Sequence, residues 1–134
     1  MKYLLDTDTF SEMVKGLNPK IVKRLDSLQV GDAALSVVTH GEIMFGLEIK
    51  SLKPLARQRM DRLLDAIDTL PLTTEVASHY GDLRAHLRNM GTPIGPNDLW
   101  IAAHARALNL ILVTNNTEEF SRVPKIKLEN WVAA

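Results

Sequence analysis

Short apolar runs alternate with segments of helical periodicity along the chain, and this alternation constrains the fold more than any other feature of the sequence. The apolar runs, read as strands, occupy residues 3–5, 33–38, 69–72, 110–113 and 126–128. Strands that alternate with helices predict an α/β fold with a central, mostly parallel sheet of four or five strands and helices on both faces. No repeat or linker divides the 134 residues, so we expect a single domain over residues 1–134.

Residues that start and stop helices set the expected boundaries. Gly16 ends the first predicted helix, and Asn18 caps the second, which we expect to run to Gly31. Thr39 is the expected N-cap of the third helix, because Glu42 follows it at the spacing of a capping box. This assignment places the Glu42 carboxylate in the first turn of that helix.

Four acidic residues stand at predicted strand ends or helix starts. Asp6 directly follows the first strand, and Glu42 and Asp98 lie in the first turns of helices. Glu119 follows the fourth strand after a short polar segment. In a parallel sheet these positions gather at one edge, where converging carboxylates repel one another unless a cation neutralises them. Ligation by oxygen alone suits Mg²⁺ or Mn²⁺, and such an ion can activate water for attack on a phosphodiester.

Structural explanations compete with this metal site. An acid in the first turn of a helix interacts favourably with the helix dipole, which would account for Glu42 and Asp98 without catalysis. Glu119 taken alone fits ordinary surface charge. Asp6 is harder to explain in this way, because a carboxylate beside a buried strand costs free energy unless it is paired or bound to metal. Periodicity alone leaves open whether the four acids meet.

Composition restricts the partners of the chain. It has 16 basic and 16 acidic residues and a formal net charge of zero, whereas a general nucleic-acid coat protein would be basic. The chain has no Cys, which excludes disulfides and thiolate metal sites and suits a cytoplasmic location, the one we expect. No apolar run approaches the roughly 20 residues that span a bilayer, so we expect no membrane partner.

Four blocks of the sequence carry a family resemblance. They are LLDTD at residues 4–8, SVVTHGEIMFG at 36–46, PIGPNDLWIA at 93–102 and LVTNNTEEF at 112–120. In this order they closely resemble the VapC-type PIN-domain ribonucleases, which are the toxin halves of bacterial VapBC type II toxin–antitoxin pairs. The segment LENW at residues 128–131 is also similar to the end of that family's chains, so the resemblance covers nearly the whole sequence.

The resemblance implies a PIN fold and cleavage of RNA, often tRNA, by an endonuclease that depends on Mg²⁺ or Mn²⁺. Asp6, Glu42 and Asp98 match the family's three main metal-binding acids. Thr114 matches the polar residue that supports the site from the end of the fourth strand. Similarity to the enterobacterial members implies the anticodon loop of initiator tRNA as the target.

Two positions depart from the family's pattern. Asp8 stands where the family usually has Asn, and we expect it to be the N-cap of the first helix. Asn116 stands where many PIN domains carry a fourth Asp, and Glu119, one helical turn later, would supply the missing carboxylate. We therefore expect Thr114, Asn116 and Glu119 to orient water or a second metal ion.

The resemblance also implies protein partners. PIN toxins of this type form homodimers, and a cognate VapB-type antitoxin neutralises them within a larger hetero-oligomer. The third and fourth predicted helices would form the groove that receives an antitoxin helix, because they carry a series of apolar residues: Phe45, Leu47, Leu52, Leu55, Met60 and Leu64. The same residues would equally fit an ordinary core.

Arg84 and Arg88 form a basic stripe on the helix that precedes the Asp98 loop. Stripes of this kind are usually solvated helix faces. The alternative is contact with the phosphates of an RNA substrate, which a chain of zero net charge would need locally.

Two other functions fit part of the sequence. Asp6 and Asp8 also resemble the nucleophile motif of haloacid-dehalogenase-like phosphatases, in which Asp6 would be the nucleophile and Asp8 the acid–base group. That interpretation leaves Glu42 and Asp98 without a role. The third candidate is a non-catalytic PIN-like module that binds RNA or a protein, which Asn116 favours and the intact set of acids opposes.

Overall fold

A parallel five-stranded sheet forms the centre of the protein. The structure is a computed structural model and describes residues 1–133. The strands are β1 (Tyr3–Leu5), β2 (Ala33–Ser36), β3 (Asp68–Leu70), β4 (Ile111–Val113) and β5 (Lys127–Glu129). Their order across the sheet is β3-β2-β1-β4-β5, and every neighbouring pair is parallel. The predicted sheet is confirmed, with β1 at its middle.

Helices connect successive strands and cover both faces of the sheet, as predicted. They are α1 (Thr7–Lys15), α2 (Pro19–Ser27), α3 (Val37–Ile49), α4 (Pro54–Ala66), α5 (Thr74–Asn89), α6 (Pro96–Ala107) and the short α7 (Thr117–Phe120). The sequence analysis did not predict α7 as a separate helix. Across the described part of the chain, none of the helices combines the length and the apolar character that crossing a membrane requires.

Each face of the sheet has its own apolar core, because successive strand residues point to opposite sides. On one face, Leu4 and Leu112 pack against buried residues of α5 and α6. On the other face, Leu5 and Val113 pack against α1, α4 and Trp131. Fully burying one such side chain stabilises the fold by about 2 kcal/mol. The ends of β1 and β4 are therefore firmly held, and so are the polar residues that follow them.

The boundaries of the first two helices were partly predicted. Gly16 ends α1 in the left-handed conformation, with φ 66°, and the Asn18 side chain caps α2 by accepting from the Lys20 amide at 3.0 Å. The prediction that α2 runs to Gly31 was wrong, since the helix ends at Ser27. Gly31 instead supplies a positive φ of 88° in the turn that leads into β2.

The predicted start of α3 was also wrong. Ser36, the last residue of β2, is the N-cap, and its hydroxyl accepts from the Val38 amide at 3.1 Å. Thr39, the predicted cap, lies buried inside the helix. The strand passes into the helix without a loop, so composition and spacing gave no separate signal for the junction. Glu42 consequently lies in the second turn of α3, where the dipole of the helix start does not explain an acid.

A buried histidine connects α6 to this junction. His104 is fully buried, and its Nδ1 lies 2.9 Å from the Ser36 hydroxyl. The other ring nitrogen of His104 and the hydroxyl of Thr39 have no hydrogen-bond partner within residues 1–133. Burial lowers the pKa of His104, because a charged imidazole is disfavoured away from water. The folded protein therefore holds this side chain in its neutral form.

We expect the His104 contribution to folding stability to decline as the pH drops below about 6.5, the pKa of an exposed histidine. The pKa of His104 is lower in the folded protein than in the unfolded chain, so the unfolded chain takes up the proton first. Each pH unit then costs up to about 1.4 kcal/mol until the folded-state pKa is reached.

Denaturant titrations of the wild type and His104→Asn at pH 7.5, 6.5 and 5.5 check this expectation. The substitution removes the imidazole, so the stability advantage of the wild type should shrink as the pH falls. An advantage that is constant over this range would contradict a buried neutral imidazole.

Candidate active site

Asp6 and Thr114 stand side by side at the carboxyl ends of the neighbouring strands β1 and β4. Asp6 directly follows β1, and its amide donates to the Val113 carbonyl at 3.0 Å. Thr114 directly follows β4, and both side chains are buried. Ligands of open parallel sheets bind outside this edge. The two residues therefore mark the candidate site.

Asp6 is also the N-cap of α1. Its Oδ1 accepts from the Thr9 amide at 2.8 Å. The prediction that Asp8 caps this helix was wrong, and Asp8 lies exposed in the first turn. The reason is that α1 begins at Thr7, so Asp6 is the single residue between strand and helix. An acid next to β1 thus has a structural role, which the sequence analysis had not attributed to it.

Capping does not remove the electrostatic cost of placing this carboxylate inside the protein. Burial raises the pKa of Asp6, while hydrogen bonds from Thr114 and Thr9 act in the opposite direction. The Asp6 carboxylate, which caps α1, thus also interacts with the Thr114 side chain. The Thr114 hydroxyl also accepts from the Asn116 amide at 3.0 Å.

Glu42 reaches the site from α3 and is held by a neighbour of Asp6. The Thr7 hydroxyl donates to Glu42 Oε1 at 2.6 Å, which joins the first residue of α1 to the second turn of α3. One carboxylate oxygen is engaged in this way, and the other is left for a second partner. The sequence analysis missed Thr7, although its position directly after Asp6 was a signal that could have identified it.

Asp98 lies in the first turn of α6, as predicted, and is partly buried. Its pKa is raised to about 6, first by burial and then by the charges of Glu119, Glu42, Asp6 and Asp8. Repulsion of this kind acts between groups that lie near one another. The structure therefore brings the predicted acids from the β1–α1 junction, α3, α6 and α7 into one electrostatic neighbourhood.

Asn116 and Glu119 form a pair at the start and the end of one turn. Asn116 Nδ2 donates to Glu119 Oε2 at 2.5 Å, across the short helix α7. The amide therefore orients an acid where many PIN domains carry a fourth Asp. The side-chain carbonyl oxygen of Asn116 is not used to orient Glu119 and remains a neutral acceptor.

The acids stand apart rather than in contact. Within residues 1–133, no three Asp, Glu or His side chains are close enough to hold one ion as they stand. Three of the acids instead each accept a hydrogen bond from a neutral donor, namely Thr9, Thr7 or Asn116. The candidate metal ligands are all carboxylate oxygens, and the repulsion among these acids fits a divalent cation such as Mg²⁺ or Mn²⁺.

Arg84 and Arg88 lie outside this group of acids. Both are exposed on α5 and line a cavity beside the loop that leads into α6. The predicted basic stripe therefore exists as a surface feature next to the candidate site.

Asp98→Asn should stabilise the metal-free protein at pH 7.5 by about 1 to 2 kcal/mol. The pKa rise from 3.8 to about 6 corresponds to roughly 3 kcal/mol against the ionised form, and solvent screening reduces this figure. Because the folded-state pKa is the higher one, the penalty is absent below about pH 4, develops between about pH 4 and 6, and is fully present above about pH 6.

Denaturant titrations in EDTA at pH 7.5 and pH 4.5 measure this effect. The gain should be largest at the higher pH, and Asp26→Asn, an exposed position of α2, is the matched control. An Asp98→Asn variant no more stable than the control at pH 7.5 would show that the acids do not repel one another.

Comparison with known proteins agrees with this architecture. The PIN domain family matches residues 3–126 of the chain. The protein named tRNA(fMet)-specific endonuclease VapC, from Salmonella typhimurium, is 36% identical over 132 residues, which cover 98% of either chain.

Solved structures of the same group are similar along the full length. The DNA-bound VapBC of Salmonella typhimurium aligns with a TM-score of 0.89 and 34% identity over 98% of both chains. VapBC2 from Rickettsia felis, bound to a DNA fragment from its promoter, aligns with a TM-score of 0.88 and 32% identity over 98% of this chain and 99% of that chain. The chain therefore belongs to the PIN-domain family and, within it, to the VapC group.

Proposed function

We propose that this chain is the toxin of a type II toxin–antitoxin pair and acts as a divalent-metal-dependent endoribonuclease. The observation that supports this most is geometric: Asp6 follows β1 at the carboxyl edge of the sheet, and the Thr7 hydroxyl beside it holds Glu42. The charges of these acids and of Glu119 add to burial in raising the pKa of Asp98. Like charges held near one another favour a bound cation. The VapC relative named as a tRNA(fMet)-specific endonuclease adds the class of reaction.

The acids that would hold the ion are Asp6, Glu42 and Asp98, and the ion is Mg²⁺, with Mn²⁺ as a substitute. A bound divalent ion supplies positive charge for the phosphate in the transition state and lowers the pKa of a bound water. Asp6 contributes the carboxylate anchored most firmly, because it follows β1 and caps α1. Glu42 is oriented by Thr7, and Asp98 is the acid whose pKa burial and the neighbouring carboxylates raise to about 6.

The residues after β4 complete the proposed site. Glu119, held by the Asn116 amide, would orient water or share a second ion. Thr114 connects the two halves, since it interacts with Asp6 and also accepts from the Asn116 amide. These residues thus position catalytic groups, and no covalent intermediate on the protein is required.

The proposed substrate is tRNA, with cleavage in the anticodon loop of initiator tRNA. The name of the VapC relative supports this target. A chain with zero net charge has no strong long-range attraction for RNA, so its affinity must come from a local basic surface and the metal. RNA binding should accordingly be modest and sensitive to salt.

The proposed partner is a VapB-type antitoxin that docks between α1, α3 and α4. These helices enclose a cavity of about 280 Å³ whose mostly apolar lining includes Leu47, Leu52 and Met60. Phe45 and Leu55 are 65% and 69% exposed beside it. An amphipathic antitoxin helix would bury these side chains, and the two similar structures described above are VapBC complexes.

The other predicted members of this series differ in their surroundings. Met60 is buried and Leu64 is partly buried against the core on the α1 side of the sheet. The groove proposal therefore rests on the exposed residues, and Leu64 serves the core. We also propose that the toxin forms a homodimer and, with the antitoxin, a larger cytoplasmic complex.

The alternatives receive little support from the site. A phosphatase mechanism would need Asp8 to act on a substrate held at Asp6, but Asp8 is exposed on α1 and Asp6 caps the helix. It would also leave Glu42 and Asp98 without a role. A non-catalytic binding module would have no reason to maintain the repulsion that raises the pKa of Asp98.

Asp6→Asn and Asp98→Asn should each lower the rate of RNA cleavage by at least about 100-fold. Asparagine removes the charge but remains a good N-cap, so Asp6→Asn keeps the start of α1, which Asp6→Ala would weaken by about 1 kcal/mol. The assay uses a tRNA panel that includes initiator tRNA, with Mg²⁺, with Mn²⁺ and with EDTA.

Asp26→Asn, an exposed acid on α2, is the control and should cleave at the wild-type rate. Cleavage that persists in EDTA or in either active-site variant would refute the metal-dependent mechanism. A wild-type protein that binds tRNA but never cuts it would favour the non-catalytic module.

Thr7→Val should weaken Mn²⁺ binding by about tenfold, because it removes the donor that orients Glu42 while keeping a side chain of similar shape. Thr7→Ser retains the hydroxyl and should recover most of the affinity. Titration of the protein with Mn²⁺, followed by the electron paramagnetic resonance of the free ion, measures this without any cleavage assay. Equal affinity in the wild type and Thr7→Val would mean that the hydrogen bond does not prepare Glu42 for metal.

A further inference from the structure

A cavity of about 380 Å³ lies between α5 and the loop that leads into α6. We call it the Tyr80 cleft and define it by the residues that shape its walls: Tyr80, Arg84, Leu87, Arg88, Pro93 and Ile94. None of these residues belongs to the proposed metal site. Their chemistry is mixed, with an apolar surface on one side and two guanidinium groups on the other.

The positive charges of the Tyr80 cleft are not neutralised within the protein. Arg84 donates to the Tyr80 hydroxyl at 3.0 Å, and its guanidinium lies 5.9 Å from the centre of the Tyr80 ring. Neither Arg84 nor Arg88 forms an ion pair with a carboxylate in residues 1–133, whereas Arg24, Arg57 and other basic residues do. The cleft therefore presents two free cations to an anionic ligand.

The walls of the cleft are preformed. The Tyr80 ring stacks on the Trp100 ring with 3.8 Å between centroids and 13° between planes, which fixes α5 against α6. Leu87 is buried beneath the floor, and Pro93 restricts the backbone of the loop. A ligand would therefore enter without ordering this part of the protein, which avoids much of the entropic cost of binding.

The cleft adjoins a second cavity near the candidate active site. Pro93 and Ile94 line both cavities, and the second is also lined by Gly95, Asn116, Glu118, Glu119 and Arg122. A polynucleotide with its scissile phosphate at the acids would reach the Tyr80 cleft within a short stretch of its backbone. Two arginine side chains thus lie beside a group of carboxylates. Those carboxylates repel phosphate unless a metal ion neutralises them.

We propose that the Tyr80 cleft binds a nucleotide of single-stranded RNA next to the cleaved bond. This inference rests on the proposed function and adds a substrate subsite to it. The base would pack on the apolar side formed by Pro93 and Ile94, and the phosphate would contact Arg84 and Arg88. Packing on apolar surface tolerates any base, so the cleft favours unpaired nucleotides over duplex without reading their sequence.

The test compares RNA binding by two charge-matched double variants. Arg84→Gln/Arg88→Gln removes both cations of the cleft and keeps the stems of the side chains. Arg57→Gln/Arg62→Gln removes two exposed arginines of α4 and is the control. Fluorescence anisotropy with a labelled single-stranded RNA decanucleotide in EDTA measures affinity from 50 to 300 mM NaCl.

We expect the cleft variant to bind the oligonucleotide about tenfold more weakly than the control at 0.1 M salt. The slope of log affinity against log salt should also be shallower by about 0.7, because the cleft contacts one phosphate and each neutralised phosphate on a single strand contributes about 0.7. All four positions are exposed or at the surface, so thermal unfolding should be similar in both variants and confirm that they are folded.

Three results would overturn the proposal: equal affinities of the two variants, no detectable binding by the wild type, or a loss of affinity with an unchanged salt slope. Sedimentation of the same samples tests the competing occupant, a second copy of this chain, which predicts that only the cleft variant changes its oligomeric state. Because binding is measured without metal, a protein that fails to cleave RNA but passes this test would retain the cleft and lose the nuclease mechanism.

Discussion

Mutual repulsion among carboxylates is the constraint on which the functional edge of this protein depends. The sheet order places β1 between β2 and β4, so Asp6 emerges at the centre of the edge, while Glu42 and Asp98 approach from α3 and α6. Burial, and then the charges of the nearby carboxylates, raise the pKa of Asp98 to about 6. Two apolar cores hold the strand ends and offset this cost. The folded chain is thus in a state that a divalent cation would relieve.

The acids are oriented by neutral groups rather than by cations. The Thr9 amide contacts Asp6, the Thr7 hydroxyl contacts Glu42, and the Asn116 amide contacts Glu119. Each bond engages one carboxylate oxygen and leaves the charge in place. A lysine or arginine in any of these positions would also orient the acid, but it would neutralise the charge that attracts metal. Neutral donors therefore orient the acids and leave their negative charge available to the proposed cation.

The sequence predicted the sheet but misplaced the junctions between strands and helices, and the acids that it selected as metal ligands stay a prediction. Apolar runs and the family motifs indicated β1, β4 and the first turn of α6, and the glycine at the end of α1 was correctly read. Ser36 ends β2 and Asp6 directly follows β1, and each caps the helix that comes next, so the expected caps at Thr39 and Asp8 were wrong. The spacing of residues in the sequence does not distinguish between neighbouring candidates for the N-cap. The choice is made by how far the strand register extends, which depends on neighbouring strands. The Thr7–Glu42 contact joins residues far apart in sequence, and no periodicity could indicate it.

Zero net charge in this protein hides a strong separation of charge. Asp6, Glu42, Asp98 and Glu119 gather near the carboxyl edge of the sheet, and the guanidinium groups of Arg84 and Arg88 line a cavity that shares Pro93 and Ile94 with the one beside Glu119. At physiological ionic strength, interactions decay within about 8 Å, so RNA would sense each group only on close approach. Duplex RNA, or RNA that meets the protein elsewhere, would gain little electrostatic attraction from a protein of zero net charge. Discrimination would therefore arise from fit, since only a strand that places phosphates at both cavities at once satisfies the cations of the cleft and the ion held by the acids.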